Sequence, residues 1–184
     1  MREETVNWDA GVLDRFAQGE PAAFAQIVRE HQGMVFSLAL HFLKEPSLSE
    51  DLAQEVFLQL YQNRAAIKSA AHLRFWLRKV ACHRSMDCAR RSGPRRTISL
   101  EDAPEPVAAQ PAGDLLLDDR LWRLVGTLPE KSRMALILRY QEDLTYQEIA
   151  EVMEMPLNTV KTSLERGLAL LREKLTRSLG GVRA

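Results

Sequence analysis

Apolar residues recur every three to four positions through most of this chain of 184 residues. The clearest row has spacings of four, four, three and four residues and would form one apolar stripe on a helix: Val160, Leu164, Leu168, Leu171 and Leu175. Stretches in which apolar and polar residues alternate, as in a half-buried strand, are scarce. The pattern therefore predicts an all-α protein.

Two helical blocks are predicted, one from about residue 9 to residue 91 and one from about residue 114 to residue 179. The segment between them, residues 92–113, holds four of the chain's eight prolines together with alanines and acidic residues. That composition is typical of an extended, flexible linker. We therefore expect a small helical domain over residues 1–92, a linker over residues 93–113 and a second small helical domain over residues 114–184.

Breaks within the first block mark the ends of its helices. In "KEPSLSEDL", Pro46 interrupts the pattern, and Ser47 or Ser49 is expected to cap the helix that follows. That helix would bury a row at four-residue intervals: Leu52, Val56 and Leu60. The segment "AAIKSAAH" is less periodic and is expected to join two helices.

The second block contains a helix-turn-helix pattern in "LTYQEIAEVMEMPLNTVKTSLERG", residues 144–167. Thr145 and Glu148 fit a capping box, and Pro156 requires the first helix to end before it. The second helix is expected to present one outward polar face: Asn158, Thr159, Lys161, Thr162, Ser163 and Arg166. Such a face could enter a DNA major groove, although an ordinary helical hairpin with solvated polar residues would show the same spacing.

The zero net charge of the chain conceals a separation of charge along it. Residues 72–96 hold eight Arg or Lys and one Asp, residues 97–120 hold six acidic residues and one Arg, and residues 156–184 hold six basic and two acidic residues. Two basic segments around an acidic connector favour nucleic-acid binding, although solvated helix faces could account for part of the pattern.

Other functional classes find little support in the sequence. No apolar run is long enough to span a bilayer, and "MREETVNWDAG" lacks the core of a signal peptide, so we expect a cytoplasmic protein without membrane insertion. Cys82, His83 and Cys88 do not converge on one helix face, so no metal site is expected. Without a Gly-rich phosphate loop, a metalloprotease helix or a nucleophile elbow, we expect no catalytic residues, no cofactor and no enzymatic activity.

These motifs resemble a known family. "EDLAQEVFLQLYQNR" and "LRFWLRKVACHRSMDCARR", followed by "LPEKSRMALILRYQEDLTYQEIAEVMEMPLNTVKTSLERGLALLREKL", resemble the two domains of bacterial RNA polymerase sigma factors of the extracytoplasmic-function group. The resemblance runs from about Phe24 to Leu175. It implies a factor that binds core RNA polymerase, directs it to particular promoters and helps to melt them. It also implies an anti-sigma factor as a partner.

For the first domain, the resemblance implies three kinds of site. The helix containing "DLAQEVF" would dock on a coiled coil of the largest polymerase subunit through its outward residues: Asp51, Gln54 and Glu55. The following loop would capture a base flipped out of the −10 element, with these polar candidates: Lys68, Ser69 and His72. The next helix would hold the separated strand through His83, where the family commonly has asparagine, and through a basic strip: Arg74, Arg78, Lys79, Arg84, Arg90, Arg91, Arg95 and Arg96.

For the second domain, the resemblance implies that residues 156–167 form the helix that meets the −35 element through the polar face named above, with Arg139 on a backbone phosphate. Ser163 stands where the family often has arginine, which suggests a shifted sequence preference or a weaker affinity. Two rival functions stay open. One is a helix-turn-helix regulator that acts without polymerase, and the other is a helical protein-interaction module with no role on DNA.

Overall fold

The computed structural model describes residues 11–92 and 121–180, and every regular element within these ranges is helical. The first helical group comprises α1 (Val12–Ala17), α2 (Pro21–Leu43), α3 (Pro46–Gln62), a 3-10 turn (Arg64–Ala66) and α4 (Ala70–Ser92). The second helical group comprises α5 (residues 121–126), α6 (Glu130–Tyr140), α7 (Tyr146–Val152) and α8 (Leu157–Gly180). The all-α prediction is confirmed. The linker predicted over residues 93–113 lies outside the described residues, and the domain boundaries stay predictions.

Proline sets the start of two helices in the first group. α2 begins at Pro21 and α3 begins at Pro46, positions where the missing N–H of proline leaves no helical hydrogen bond unmade. The prediction that Ser47 or Ser49 caps α3 is therefore wrong, because the helix starts ahead of both residues. Ser49 is buried within the first turn, and its hydroxyl donates to the carbonyl oxygen of Glu45 at 2.7 Å.

The core of the first helical group lies among α2, α3 and α4, and α1 closes one side of it. The three positions predicted as the buried row of α3 are buried as expected: Leu52, Val56 and Leu60. α1 contributes two fully buried side chains, Val12 and Phe16, and the ring of Phe16 stacks on that of Phe24 at 5.9 Å between centroids. Burial of this apolar surface is what holds the short α1 in place.

The second helical group is built around α6, which is buried along most of its length: Ser132, Met134, Ala135, Leu136, Ile137 and Leu138. Residues 134–138 are consecutive apolar positions and point to every side of the helix, so this part of α6 must be covered on all sides. α8 and α7 cover α6 from within the second group, and α2 covers it from the first group. The two helical groups therefore share part of their packing.

Polar contacts join the groups where α6 meets α2. The guanidinium of Arg133 donates to the carbonyl oxygen of Phe42 at 2.8 Å, and the amide of Gln141 donates to the hydroxyl of Ser37 at 3.1 Å. The ring of Trp122 stacks on the ring of His41 with 3.8 Å between centroids. In the same arrangement, α7 packs against α4. Among the described helices, none combines the length and apolarity that crossing a bilayer requires.

Candidate nucleic-acid and polymerase interfaces

The outer face of α3 presents the residues expected to bind polymerase. Asp51, Gln54 and Glu55 are all exposed, because the buried row of this helix faces the opposite way. Leu58, on the same side, is 59% exposed. An acidic and polar surface with an exposed leucine is suited to docking a protein partner.

An apolar groove of about 850 Å³ runs between α2 and α3 beside this face. Its lining includes aromatic side chains from both helices together with Gln54 and Leu58: Phe24, Phe36, Phe57 and Tyr61. The groove is thus continuous with the exposed face of α3. We refer to the two together as the α3 docking face.

The loop before α4 holds its polar side chains in local hydrogen bonds. Ser69 precedes the first residue of α4, and its hydroxyl accepts from the backbone N–H of His72 at 3.1 Å, as a helix cap does. The backbone N–H of Lys68 donates to the Nδ1 atom of His72 at 3.3 Å. Lys68 and Ser69 are exposed and His72 is half-buried. The capping role of Ser69 was not predicted, although its position before a helical run could have revealed it.

Part of the basic strip of α4 faces the second helical group. Arg78 forms an ion pair with Glu142 at 2.9 Å, and Lys79 forms one with Glu154 at 2.7 Å. The Nε2 atom of His83 lies 3.1 Å from the carbonyl oxygen of Val152. Three expected strand-binding residues are therefore brought together, each against an oxygen of the second group.

The other basic residues of α4 have different surroundings. Arg84 lies between the amide oxygen of Gln59, at 3.3 Å, and the carboxylate of Glu55, at 3.8 Å. It therefore links the strip to the α3 docking face. Arg90 is exposed and approaches Asp87 at 3.4 Å and Glu130 of the second group at 3.9 Å. Arg74 is half-buried and Arg91 is exposed, whereas Arg95 and Arg96 lie outside the described residues.

The helix-turn-helix forms as predicted, and its capping box is confirmed. The hydroxyl of Thr145 accepts from the backbone N–H of Glu148, and the Glu148 carboxylate accepts from the backbone N–H of Thr145 at 2.8 Å. α7 ends at Val152, Glu154 takes a positive φ of 51°, and α8 starts directly after Pro156. The turn therefore ends one helix and starts the next within four residues.

α8 exposes four members of the expected polar face: Asn158, Lys161, Thr162 and Arg166. Thr159 is half-buried. Ser163 is only 9% exposed, so the prediction that it lies on the outward face is wrong. It falls three residues after Val160 and four before Gly167, two other buried positions, and this helical spacing places it on the packed side. The same spacing, read from the sequence, could have shown that Ser163 does not belong to the outward polar face.

Arg139 lies where the turn between α6 and α7 closes. Its guanidinium donates to the carbonyl oxygen of Leu144 at 2.8 Å and lies 5.4 Å from the centre of the Tyr146 ring. These two residues shape a shallow concave surface of about 400 Å³ beside the start of α8, which Lys161 also lines. Tyr146 is 45% exposed at this surface and was missed in the sequence analysis.

Of the two cysteines, Cys82 is buried and Cys88 is half-buried. Burial raises the pKa of Cys82 to about 12, so the thiol holds its proton at neutral pH. Metal ions bind the thiolate form. Within residues 11–92 and 121–180, no group of three or more metal-binding side chains comes together.

Comparisons with known proteins match both helical groups. The family described as "Sigma-70 region 2" matches residues 27–95, and the family described as "Sigma-70, region 4" matches residues 118–171. The ECF RNA polymerase sigma factor SigK of Mycolicibacterium vanbaalenii is 30% identical over 178 residues, covering 93% of this chain and 90% of that protein. The chain belongs to the ECF RNA polymerase sigma factors. It therefore acts in promoter-specific initiation of transcription.

Further ECF sigma factors extend the likeness over nearly the whole chain. SigW of Bacillus subtilis is 28% identical over 180 residues, covering 89% of this chain and 94% of that protein. Two solved structures share the fold. One is CnrH in complex with the cytosolic domain of CnrY, with a TM-score of 0.67, 20% identity and coverage of 90% of this chain and 96% of that chain. The other is RpoE of Bartonella quintana in complex with the anti-sigma factor NepR, with a TM-score of 0.65, 22% identity and coverage of 83% and 96%.

Proposed function

We propose that this ECF sigma factor divides its work among three surfaces. The α3 docking face binds core RNA polymerase through the coiled coil of the largest subunit. The basic strip of α4, with the loop before it, engages the −10 element and the opened strand. α8 reads the −35 element. The first domain would span residues 1–92, the linker residues 93–113 and the second domain residues 114–184. The factor would act in the cytoplasm and would catalyse no reaction of its own.

One observation carries the assignment of α8. Four polar side chains point to solvent from the second helix of a helix-turn-helix, and the apolar stripe of that helix is turned inward. An α-helix with such a face fits the major groove, where Asn158 could bond to base edges and Lys161 and Arg166 could meet phosphates or bases.

The assignment of α8 is tested by duplex binding. Transcription with core polymerase and a genomic library first defines a promoter, and its upstream duplex then serves as the probe. We expect Lys161→Ala and Arg166→Ala each to weaken binding and, where the contact is to a phosphate, to reduce the slope of log K against log salt by about one. Arg172→Ala is the matched control, because Arg172 is equally charged and exposed on α8 but lies beyond the recognition face. Equal losses in all three variants would contradict the assignment.

The assignment of α3 is tested by association with core polymerase. We expect Asp51→Lys combined with Gln54→Lys to abolish co-elution with core enzyme and promoter-dependent transcription, because both exposed side chains lie on the α3 docking face. Asp14→Lys, an exposed acidic position on α1, should leave both activities intact. Normal co-elution of the α3 variant would favour a regulator that acts without polymerase.

We propose in addition that an anti-sigma factor binds this chain. The solved complexes of CnrH with CnrY and of RpoE with NepR support the proposal, because both proteins share this fold. The α3 docking face, with its apolar groove and exposed leucine, offers a surface for such a partner. Competition between a purified candidate anti-sigma factor and core polymerase would test whether the two share this face.

A further inference from the structure

A carboxylate lies among the polar side chains that α8 presents to solvent. We call the four exposed residues proposed to meet the −35 element the reading face of α8: Asn158, Lys161, Thr162 and Arg166. Glu165 is exposed among them and follows Asn158 by seven residues. Because each residue of a helix turns by about 100°, these two side chains point within about 20° of each other. Glu165 therefore lies on the surface that faces the duplex.

The packing of α8 fixes the direction in which Glu165 points. Two residues further on, Gly167 packs so closely on α6 that an added Cβ atom would lie 3.0 Å from the Cδ1 atom of Leu136. Two positions along an α-helix correspond to a rotation of about 200°. Glu165 is thus on the side of α8 opposite to its contact with α6. When α8 lies in a major groove by its reading face, the carboxylate enters the groove as well.

Glu165 is not neutralised by a neighbouring cation. Lys161 lies one turn before it and Arg166 follows it directly, but across residues 11–92 and 121–180 none of these three side chains forms an ion pair. Glu173, the next carboxylate of α8, is by contrast paired with Arg177 in its own helix. The charge of Glu165 is therefore available to a ligand of the reading face.

A carboxylate in the major groove distinguishes base pairs because it can only accept hydrogen bonds. The phosphates along the groove repel it, and so do the acceptor atoms of guanine and thymine. Adenine and cytosine each present an amino donor, but adenine carries the acceptor N7 beside it, whereas cytosine presents the amino group alone. Cytosine is therefore the base that best compensates a negative side chain.

We propose that Glu165 is a specificity-determining residue that accepts a hydrogen bond from the N4 amino group of a cytosine in the −35 element. The inference rests on the proposed role of α8. Lys161 and Arg166 attract any duplex through its phosphates, and Glu165 restricts tight binding to sequences that place a cytosine opposite it. With a rise of about 1.5 Å per residue, this cytosine lies at most about three base pairs from the base pair that Asn158 meets.

Replacement of base pairs in the −35 duplex tests the inference. Each of the four base pairs is placed in turn at every position of the upstream duplex of a promoter defined by transcription, and the Kd of the full chain is measured. We expect one position at which cytosine is bound about tenfold more tightly than the other bases. Glu165→Ala should abolish this preference and leave those at other positions unchanged. Identical preferences in both proteins, or a Glu165-dependent position that favours another base, would overturn the inference.

A second comparison separates recognition of cytosine from general repulsion. Glu165→Gln should bind the duplexes without that cytosine more tightly than the parent chain does, because the repulsion by phosphates is removed. The duplex with cytosine should gain less, since the charged acceptor of its amino group is lost. If the affinity for all four duplexes rises by the same factor, the charge acts without recognition and the inference is overturned.

Glu173→Gln is the matched control for both measurements. Glu173 is exposed on the same helix, eight residues beyond Glu165, and its replacement changes the net charge equally. The preference for cytosine should persist in this variant. Loss of the preference in Glu173→Gln to the same extent as in Glu165→Gln would overturn the inference.

Failure of the proposed role of α8 would give a separate result. If Lys161→Ala and Arg166→Ala leave duplex binding unchanged, α8 does not read the −35 element, and recognition by Glu165 falls with that role. If both variants weaken duplex binding while Glu165→Ala keeps every base preference of the parent chain, α8 retains its role. Recognition of cytosine by Glu165 is then the only part that is overturned.

Discussion

Two small residues of α8, Ser163 and Gly167, let this helix lie close to α6. A Cβ atom added at Gly167 would come within 3.0 Å of the Cδ1 atom of Leu136 and 3.2 Å of the Cβ atom of Ser132. Glycine in a helix normally costs about 1 kcal/mol relative to alanine. Here that cost is offset by the close approach of two helices, which positions the face that carries Lys161 and Arg166.

We predict that Gly167→Val lowers the free energy of unfolding by about 1–3 kcal/mol, because the branched side chain would overpack the contact between α6 and α8. Urea unfolding followed by circular dichroism measures the change. Gly33→Ala is the control: Gly33 lies within α2, and an added Cβ meets nothing within 4 Å. This substitution should stabilise the protein by about 0.5–1 kcal/mol. Destabilisation by Gly33→Ala of the same size as that by Gly167→Val would contradict the explanation.

Several polar residues selected from the sequence for contacts with DNA also hold the local structure together. Ser69 caps α4, and Arg139 closes the turn before α7. A hydroxyl or guanidinium bonded to the backbone can stabilise a loop and still present free donors to a ligand. Residue identity therefore predicted where polar surfaces lie, whereas the hydrogen bond from Arg139 to Leu144 became apparent only from the tertiary structure.

At the scale of elements, α7 is a short helix whose start is secured by its capping box. A helix of seven residues has little stability of its own, so the cap and the packing of Ile149 and Val152 must hold it. The side-chain and backbone hydrogen bonds from Thr145 lower the pKa of Glu148 below its ordinary value of 4.5. The cap is therefore strongest when Glu148 is ionised.

We predict that Thr145→Ala costs about 1 kcal/mol of stability, because the N–H of Glu148 loses its acceptor. Thermal unfolding at neutral pH would measure this loss. Thr176→Ala serves as the control, since the exposed Thr176 only donates to a carbonyl oxygen within α8. A loss of the same size in both variants would exclude the cap as the cause.

The same cap contributes a dependence of stability on pH. Because the folded pKa of Glu148 is depressed, its contribution is complete above pH 4.5 and is lost as the pH falls through the lower folded pKa. The Thr145→Ala variant should lack this part of the acid-induced loss. The free energy of unfolding of both proteins, measured from neutral to acidic pH, would show the difference.

At the scale of the whole molecule, the described residues join the two helical groups in two regions. One is the row of ion pairs along α4, and the other is the contact of α6 with α2 around Gln141. The side-chain oxygen of Gln141 accepts from the Nδ1 atom of His41, and its amide donates to Ser37. Gln141 therefore joins the groups without touching a residue proposed to bind DNA.

We predict that Gln141→Ala lengthens the distance between spin labels at Gln62→Cys and Arg172→Cys in a chain carrying Cys88→Ser, because the variant loses the hydrogen bonds of Gln141 with His41 and Ser37. Binding of the −35 duplex should be unchanged, since the reading face of α8 is already exposed. Gln147→Ala is the matched control, because Gln147 is exposed and bonds only to Glu151 within α7. Loss of duplex binding in Gln141→Ala would contradict an effect confined to the contact between the groups.

The sequence by itself determined the helical class, the buried row of α3, the helix-turn-helix with its capping box, and the family. These features follow from local spacing, because helical periodicity and capping depend on residues a few positions apart. Only the tertiary structure decided that Arg78 meets Glu142 and that Lys79 meets Glu154, pairs separated by more than sixty residues. No periodicity encodes such partners, since the packing of α6 between α2 and α8 brings the two groups together.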